Sequence, residues 1–194
     1  MLKRVCVYCG SSPGFDAVYA SVAEALGRRL AVDGLELVYG GGRVGLMGIV
    51  ADGVLAGGGS VIGIIPEALA AKELAHPGVS DLRVVGSMHE RKAMMERDAD
   101  AFVAMPGGFG TYDELFEILT WAQLGEHAKP IVVLDVAGFY GPLFDLIDRA
   151  VEAGFLKPDH AALAVRVDSV DAAMDALRRA PRPPLAKWLG PTQV

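Results

Sequence analysis

The hydrophobic residues of this chain follow two spacings, which alternate from the N-terminus to residue 179. Short runs in which nearly every residue is apolar, such as residues 4–8 and 101–105, are typical of strands that a parallel sheet buries on both faces. Longer segments carry apolar residues at every third or fourth position, as residues 17–32 do at Val18, Val22, Ala25, Leu26 and Leu30. That 3.6-residue period predicts helices between the strands.

This alternation predicts an α/β fold, a doubly wound, mostly parallel Rossmann-like sheet with helices on both faces. The predicted strands are residues 4–8, 35–39, 61–65, 82–85, 101–105, 130–134 and 163–167. The predicted helices are residues 17–32, 46–56, 88–98, 141–153 and 170–179, with one more that ends at residue 124. No linker or repeat divides the chain, so we expect one domain over residues 1–180 and a Pro-rich tail over 181–194.

Three glycine-rich loops follow predicted strands, at residues 10–14, 40–48 and 106–110. In a doubly wound sheet, ligands bind where the loops gather at the carboxyl ends of the strands. The coincidence of three such loops at one edge predicts a single ligand site, and it carries more weight than any one loop.

Composition and charge narrow the class of ligand. The 194 residues carry a net charge of −6, with a pI near 5.2, which argues against a general nucleic-acid binder but leaves room for a small anionic ligand. The longest uncharged stretch, residues 53–66, contains five glycines and ends in proline, so it does not predict a membrane span. No N-terminal signal is visible, and we expect a cytoplasmic protein. A redox pair of cysteines usually opens a helix, whereas Cys6 lies in the first predicted strand and Cys9 follows it. We therefore expect both to be buried or pocket-edge thiols.

The loop GGGRVG, residues 40–45, matches G-x-G-x-x-G between a predicted strand and a helix. Its glycines would let backbone N–H groups approach a phosphate at the positive end of the helix dipole. Glu67 stands roughly where a dinucleotide fold places its ribose-binding acid. However, the loop follows the second strand and Pro66 interrupts the acid position, so a mononucleotide or phosphate role is favoured. A plain tight turn stays an alternative.

The stretch MPGGFGTYDE, residues 105–114, admits two interpretations. Thr111 and Glu114 have the spacing of a capping box, in which each bonds to the other's backbone N–H. Capping needs at most one glycine, however, whereas a backbone moulded around an anion benefits from several. We therefore predict a phosphate cradle, with the Glu114 carboxylate turned away from the phosphate toward a centre that becomes positive.

The stretch MHERK, residues 88–92, places an imidazole, a carboxylate and two cations in one helical turn. For Glu90 and Lys92 taken singly, a solvated helix start is the simpler interpretation. His89 has no histidine at metal-ligand spacing, and the sequence has neither a G-x-S-x-G elbow nor a P-loop, so we expect no metal site.

Together the stretches at residues 9–12, 40–48, 88–92, 106–114 and 120–124 resemble the LOG ("lonely guy") family of cytokinin riboside 5′-monophosphate phosphoribohydrolases. The resemblance implies a Rossmann-like fold, a homodimer, no cofactor, and cleavage of an N6-modified AMP into free base and ribose 5-phosphate. Family members have often been labelled lysine decarboxylases, a label with little chemical support here. Asp113 stands where many members have Glu.

The resemblance also implies the site residues. Arg91 and Glu114 would be the catalytic pair. Contacts to a nucleotide monophosphate would come from Gly10, Ser11, Gly41, Gly42, Glu73, Met88, Lys92, Gly107, Gly108, Phe109, Gly110, Thr111 and Thr120.

The residue types suit this reaction. Glycosidic cleavage builds positive charge on the ribose, and a carboxylate there can stabilise that charge or activate water. Two alternatives stay open: a broader hydrolase of AMP and other nucleoside monophosphates, and a non-catalytic carrier of a phosphorylated cofactor. The base pocket is expected to include Met88, Met94 and residues 67–80. Residues 121–124 are a possible dimer face.

Overall fold

Seven parallel strands form one sheet in the computed structural model, which describes residues 2–72 and 74–179. The strands are β1 (Arg4–Tyr8), β2 (Glu36–Tyr39), β3 (Val61–Pro66), β4 (Asp81–Val85), β5 (Ala101–Ala104), β6 (Ile131–Leu134) and β7 (Ala164–Val167). Their order across the sheet is β4-β3-β2-β1-β5-β6-β7, and every neighbouring pair is parallel. The predicted fold class is confirmed.

Helices cover both faces of this sheet. They are α1 (Ala17–Val32), α2 (Gly45–Ala56), α3 (Glu67–Ala70), α4 (Met88–Asp98), α5 (Phe109–Leu124), α6 (Gly141–Glu152), α7 (Pro158–Ala161) and α8 (Val170–Leu177). One apolar cluster joins α1, α2 and α8 to the sheet, and a second joins α4 and α5 to the other face. Alternate residues of β1 feed the two clusters, Val5 and Val7 the first and Cys6 and Tyr8 the second, as the two-residue strand period requires.

Strand β1 lies between β2 and β5: strands β2, β3 and β4 follow one another on one side of it, and β5, β6 and β7 on the other. The loops that follow these three strands therefore meet at one edge, the switch point at which doubly wound folds bind ligands. Backbone hydrogen bonds join two of these loops directly, from Met105 N to the Tyr8 carbonyl (2.8 Å) and from Gly10 N to the Pro106 carbonyl (3.0 Å).

The sequence pattern missed the shortest elements. Helices α3 and α7 have four residues each, and a 3-10 turn spans Val136–Gly138, so none is long enough to show a helical period. The predicted tail, residues 181–194, lies outside the described residues. Among the residues that are described, no helix is both long enough and apolar enough to cross a membrane.

Candidate active site

A cavity of about 330 Å³ opens at the carboxyl ends of β1, β2, β3 and β5. All three glycine-rich loops contribute to its walls. The residues that sequence reasoning had selected and that line it are Gly10, Ser11, Gly42, Met88, Arg91, Gly108, Phe109, Gly110, Thr111 and Glu114. The cavity therefore brings most of the predicted site together.

Arg91 lies on the inner side of α4 and is 8% exposed. Its Nε donates a hydrogen bond to the Ile64 carbonyl at the end of β3 (3.1 Å), and its Nη1 lies 3.8 Å from the sulfur of Met88. Its Nη2 lies 3.6 Å from Oε1 of Glu114, an ion-pair distance that is too long for a good hydrogen bond. The guanidinium is thus a fixed positive charge beside the carboxylate.

Glu114 lies in the second turn of α5 and is 9% exposed. Burial raises the pKa of its carboxyl from 4.5 to about 7, although the Arg91 charge acts in the opposite direction. The other titratable groups that face it come from β1 (Cys6, Tyr8), the loop after β1 (Cys9), α4 (Lys92) and α5 (Asp113, Glu117). A carboxyl with such a pKa exchanges a proton readily at neutral pH.

The start of α5 does not form the capping box that the spacing of Thr111 and Glu114 left as an alternative. The helix begins at Phe109, with Gly108 as its N-cap and no side-chain cap, so Thr111 lies in the first turn. Glu114 turns toward Arg91 instead of back to the helix end. The capping-box interpretation is therefore wrong, because backbone geometry at Gly108 starts the helix two residues before Thr111.

This helix start offers unpaired backbone donors to the cavity. Within the part of the chain that the structure describes, the N–H groups of Phe109 and Gly110 have no hydrogen-bond acceptor. Together with the positive end of the helix dipole, such groups form an anion site. The start of α2, at Gly45, also lacks a side-chain cap.

Gly41 and Gly107 shape the loops without lining the cavity. Gly41 has φ +73°, a left-handed conformation that other residues rarely adopt. A Cβ on Gly107 would overlap Oγ1 of Thr111 and lie 2.9 Å from the backbone nitrogen of Gly10. Both glycines therefore bring backbone segments together behind the site.

Lys92 links α4 to α5 and does not line the cavity. Its Nζ lies 3.0 Å from Oδ2 of Asp113 and 3.0 Å from Oε1 of Glu117, and its side chain is 11% exposed. Burial opposes its charge, but the hydrogen bonds to these carboxylates outweigh burial, so the pKa of Lys92 is raised. A substrate contact by Lys92 stays a prediction, and the structure places its ammonium between two carboxylates.

Two expected site residues lie elsewhere. Thr120 is exposed, donates a hydrogen bond to the Phe116 carbonyl (2.7 Å), and lines a separate cavity of about 120 Å³ between α5 and α6. Met94 packs into the apolar cluster beneath α4 and α5 instead of lining the base pocket. Glu73 lies outside the described residues.

Sequence reasoning missed an apolar wall of the cavity. This wall consists of Val44, Met47, Ile65, Leu69 and Leu74. The segment that carries Leu69 and Leu74 was expected to form part of the base pocket, but its two leucines gave no signal of their own. Arg43 N donates to the Leu74 carbonyl and His76 N to the Gly41 carbonyl, both at 2.9 Å, and these bonds fasten the segment over the glycine loop.

The two cysteines behave as predicted. Both are buried and unpaired, and Cys9 contributes to the cavity wall. Burial raises the pKa of both thiols, with a smaller contribution from the nearby Glu114 charge, so neither is an activated nucleophile. Among the described side chains, no group of three or more potential ligands could hold a metal ion.

A family model described as "Possible lysine decarboxylase" matches residues 47–177. The chain is 48% identical over 176 residues to the probable cytokinin riboside 5′-monophosphate phosphoribohydrolase LOGL1 of Oryza sativa subsp. japonica, covering 91% of this chain and 78% of that protein. It is 51% identical over 156 residues to the cytokinin riboside 5′-monophosphate phosphoribohydrolase LOG3 of Arabidopsis thaliana, covering 80% and 73%. It also matches the rice protein LOGL5 at 52% identity, but spans only 63% of its length.

Solved structures share the fold at low sequence identity. The Moco carrier protein from Chlamydomonas reinhardtii superposes with a TM-score of 0.70 at 22% identity, covering 92% of this chain and 96% of that one. The molybdenum cofactor binding protein from Rippkaea orientalis gives 0.68 at 20% identity, covering 90% and 94%. At this identity the likeness concerns the fold alone.

Proposed function

The chain belongs to the LOG family, and on that premise we propose that it hydrolyses the N-glycosidic bond of an N6-modified adenosine 5′-monophosphate to free base and ribose 5-phosphate. The curated relatives are named for this activity on cytokinin riboside 5′-monophosphates. The observation that carries the proposal is the buried Glu114 carboxyl, which faces the Arg91 guanidinium in a cavity that also contains an uncapped helix start.

The phosphate would bind at the start of α5. The backbone N–H groups of Phe109 and Gly110 and the hydroxyl of Thr111 supply donors, and Gly10 and Ser11 line the same cavity. A glycine backbone allows the phosphate a close approach without side chains in the way. With the phosphate held there, the ribose is directed toward Glu114, one helical turn farther along α5.

Arg91 and Glu114 would divide the work of cleaving the glycosidic bond between them. As the bond between C1′ and N9 breaks, its electron pair leaves with the base and the ribose becomes positively charged. The Glu114 carboxylate stabilises that charge and takes a proton from the water that adds to C1′, and the base gains a proton from solvent. Arg91 keeps part of the Glu114 population ionised, because its charge lowers the pKa that burial has raised.

The apolar wall favours a modified base over plain AMP. Leu69, Leu74 and Met88 all line the cavity, and their side chains offer no strong hydrogen-bond acceptor to an exocyclic amino group. An apolar substituent on N6 would bury its surface against this wall, at about 0.8 kcal/mol per CH₂ group. The enzyme should therefore distinguish an isopentenyl-substituted nucleotide from AMP.

The decarboxylase description of the family model does not suit this cavity. A pyridoxal-phosphate decarboxylase needs a lysine for its Schiff base. Among the described lining residues there is no lysine, and the nearby Lys92 is held by Asp113 and Glu117. The names of the curated relatives and the donor set of the site both indicate a glycosidic hydrolase.

Product analysis tests the proposal. The purified protein is incubated with isopentenyl-AMP and, in parallel, with AMP, and free base and ribose 5-phosphate are quantified by chromatography. We expect equimolar base and ribose 5-phosphate from isopentenyl-AMP and much less from AMP. Comparable release from both would indicate a broader nucleotide hydrolase, and tight binding without release of base would favour a carrier.

We also propose that the chain forms a homodimer through the outer surface of α6 and the adjacent end of α5. Helix α6 buries none of its residues in the single chain, although its sequence is amphipathic, and Leu146 is 62% exposed. Phe116 and Phe155 are exposed nearby. Thr120 lies on the same side of α5, whereas Ala122 in the predicted face belongs to the core.

A cytoplasmic location and the absence of nucleic-acid and membrane partners stay predictions.

A further inference from the structure

We propose that Gly40 is a positioning residue for Arg91, because its missing side chain leaves the space in which the guanidinium nitrogen facing Glu114 is held. The inference rests on the proposed function, in which Arg91 and Glu114 act together. It assigns a role to a residue that the phosphate-loop interpretation of residues 40–45 did not single out.

Gly40 lies at the end of β2, directly against the guanidinium of Arg91. A Cβ built on Gly40 would overlap Nη2 of Arg91, and would lie 2.9 Å from Cζ and 3.4 Å from Nε. These are the three heavy atoms nearest to that Cβ, so the conflict of a side chain at residue 40 is first with Arg91. Nη2 is also the nitrogen that lies 3.6 Å from the Glu114 carboxylate.

The backbone of Gly40 does not itself require glycine. Its φ is not positive, in contrast to that of the neighbouring Gly41. Alanine is therefore compatible with the local backbone, and the added methyl group would meet the far end of a flexible side chain. We expect Gly40→Ala to fold, and to push the guanidinium away from both Glu114 and the Ile64 carbonyl that accepts from Nε.

Displacement of the guanidinium has a measurable consequence for Glu114. The charged and titratable groups around its carboxyl are Arg91, Lys92, Asp113, Glu117, Cys6, Tyr8 and Cys9. Arg91 is the strongest of these that lowers the pKa of Glu114. Since an opposite charge at this distance changes a pKa by about one unit or more, its displacement should raise the pKa of Glu114 by about that amount.

A double-mutant cycle tests the assignment with two readouts. Wild type, Gly40→Ala, Arg91→Ala and the double variant are compared by kcat on isopentenyl-AMP and by the pKa of Glu114 from carboxyl carbon-13 NMR. The Glu114 signal is assigned by its absence in Glu114→Gln. Gly141→Ala is the matched control, because its Cβ would also approach an arginine nitrogen, Nη2 of Arg166, but at an ordinary contact distance of 3.9 Å.

We expect Gly40→Ala to lower kcat by about 100-fold or more, the size typical for loss of one electrostatic group. It should raise the pKa of Glu114 as Arg91→Ala does, and have almost no further effect in the Arg91→Ala background. Gly141→Ala should match wild type in both readouts. An unchanged pKa of Glu114 in Gly40→Ala, or a full additional loss of kcat on top of Arg91→Ala, would overturn the assignment.

The NMR readout separates this inference from the proposed function. If wild type released no base from the nucleotide, the proposed function would fail, whereas the pKa of Glu114 would still report whether Gly40 holds Arg91 in place. If wild type is active and the pKa does not change, only the role of Gly40 is refuted.

Discussion

The buried carboxyl of Glu114 should weaken the fold at neutral and alkaline pH, and Glu114→Gln should remove that weakness. Burial is the largest cause of the rise in its pKa from 4.5 to about 7, and the side chain is only 9% exposed. Because one pKa unit corresponds to about 1.4 kcal/mol, ionisation of Glu114 in the folded protein costs about 3 kcal/mol. Glutamine has nearly the same shape and never ionises.

The pH dependence has a defined direction. Below pH 4.5 the carboxyl is protonated in both the folded and the unfolded chain, so the variant and wild type should be equally stable. Between pH 4.5 and about 7 the unfolded chain ionises first, and the difference in favour of Glu114→Gln grows. Above about pH 7 the folded protein ionises as well, and the difference stays constant.

Urea denaturation followed by circular dichroism measures this difference. We expect Glu114→Gln to exceed wild type by less than about 1 kcal/mol at pH 5 and by about 3 kcal/mol at pH 8.5. In thermal unfolding, the larger figure corresponds to about 6–12 °C for a chain of this size. Glu152→Gln, an exchange at an exposed ion pair on α6, is the matched control. A difference between Glu114→Gln and wild type that is the same at pH 5 and 8.5 would refute the reasoning.

Further expectations concern activity, the α4–α5 contact, specificity and assembly. If the Glu114 carboxylate is the active form, kcat/KM should fall as the pH drops below about 7, and a flat profile from about pH 5.5 to 8.5 would contradict this. Lys92→Met should lower the free energy of unfolding in urea by about 1.5–3 kcal/mol, because two carboxylates lose a charged donor; an unchanged value would mean that the contact is not stabilising. Leu74→Ala should lower the ratio of kcat/KM for isopentenyl-AMP over AMP about tenfold, and an unchanged ratio would remove Leu74 from the base pocket. Leu146→Arg should give a monomer by light scattering that still unfolds in one cooperative transition, and a variant that is still dimeric would place the interface elsewhere.

The fold could be predicted from the sequence because buried parallel strands and amphipathic helices space their hydrophobic residues differently. The strands 4–8 and 61–65 and the helix 17–32 were predicted at or within one residue of their observed bounds. The four-residue helices α3 and α7 were not, because a single turn shows no period and its position depends on the elements around it.

Only part of the candidate site could be predicted from the sequence. The glycine loops and the Arg91–Glu114 pair have a sequence signature, and the structure brings them to one cavity. The sequence did not define the start of α5, because Thr111 has the spacing of a capping residue, whereas in the structure the helix starts from the backbone at Gly108. The pairing of Lys92 with Asp113 depends on how α4 packs against α5, which no local pattern encodes.

The role of Gly40 could not be predicted from the sequence either. In the sequence it is one of three consecutive glycines, with nothing to distinguish it from Gly41 or Gly42. In the structure the three differ: Gly41 has a left-handed backbone, whereas Gly40 and Gly42 both line the cavity, and an added Cβ would meet Arg91 at Gly40 and Met47 at Gly42. Only the folded chain separates a conformational requirement from a spatial one.

The central claim is that the Glu114 carboxylate takes part in cleavage of the glycosidic bond, and a comparison of Glu114→Gln with wild type tests it most directly. The rate of base release from isopentenyl-AMP is measured together with the Kd of the nucleotide by calorimetry. We expect a Kd close to that of wild type and a rate that is lower by about 100-fold or more. A rate equal to that of wild type would contradict the account and remove Glu114 from the chemistry.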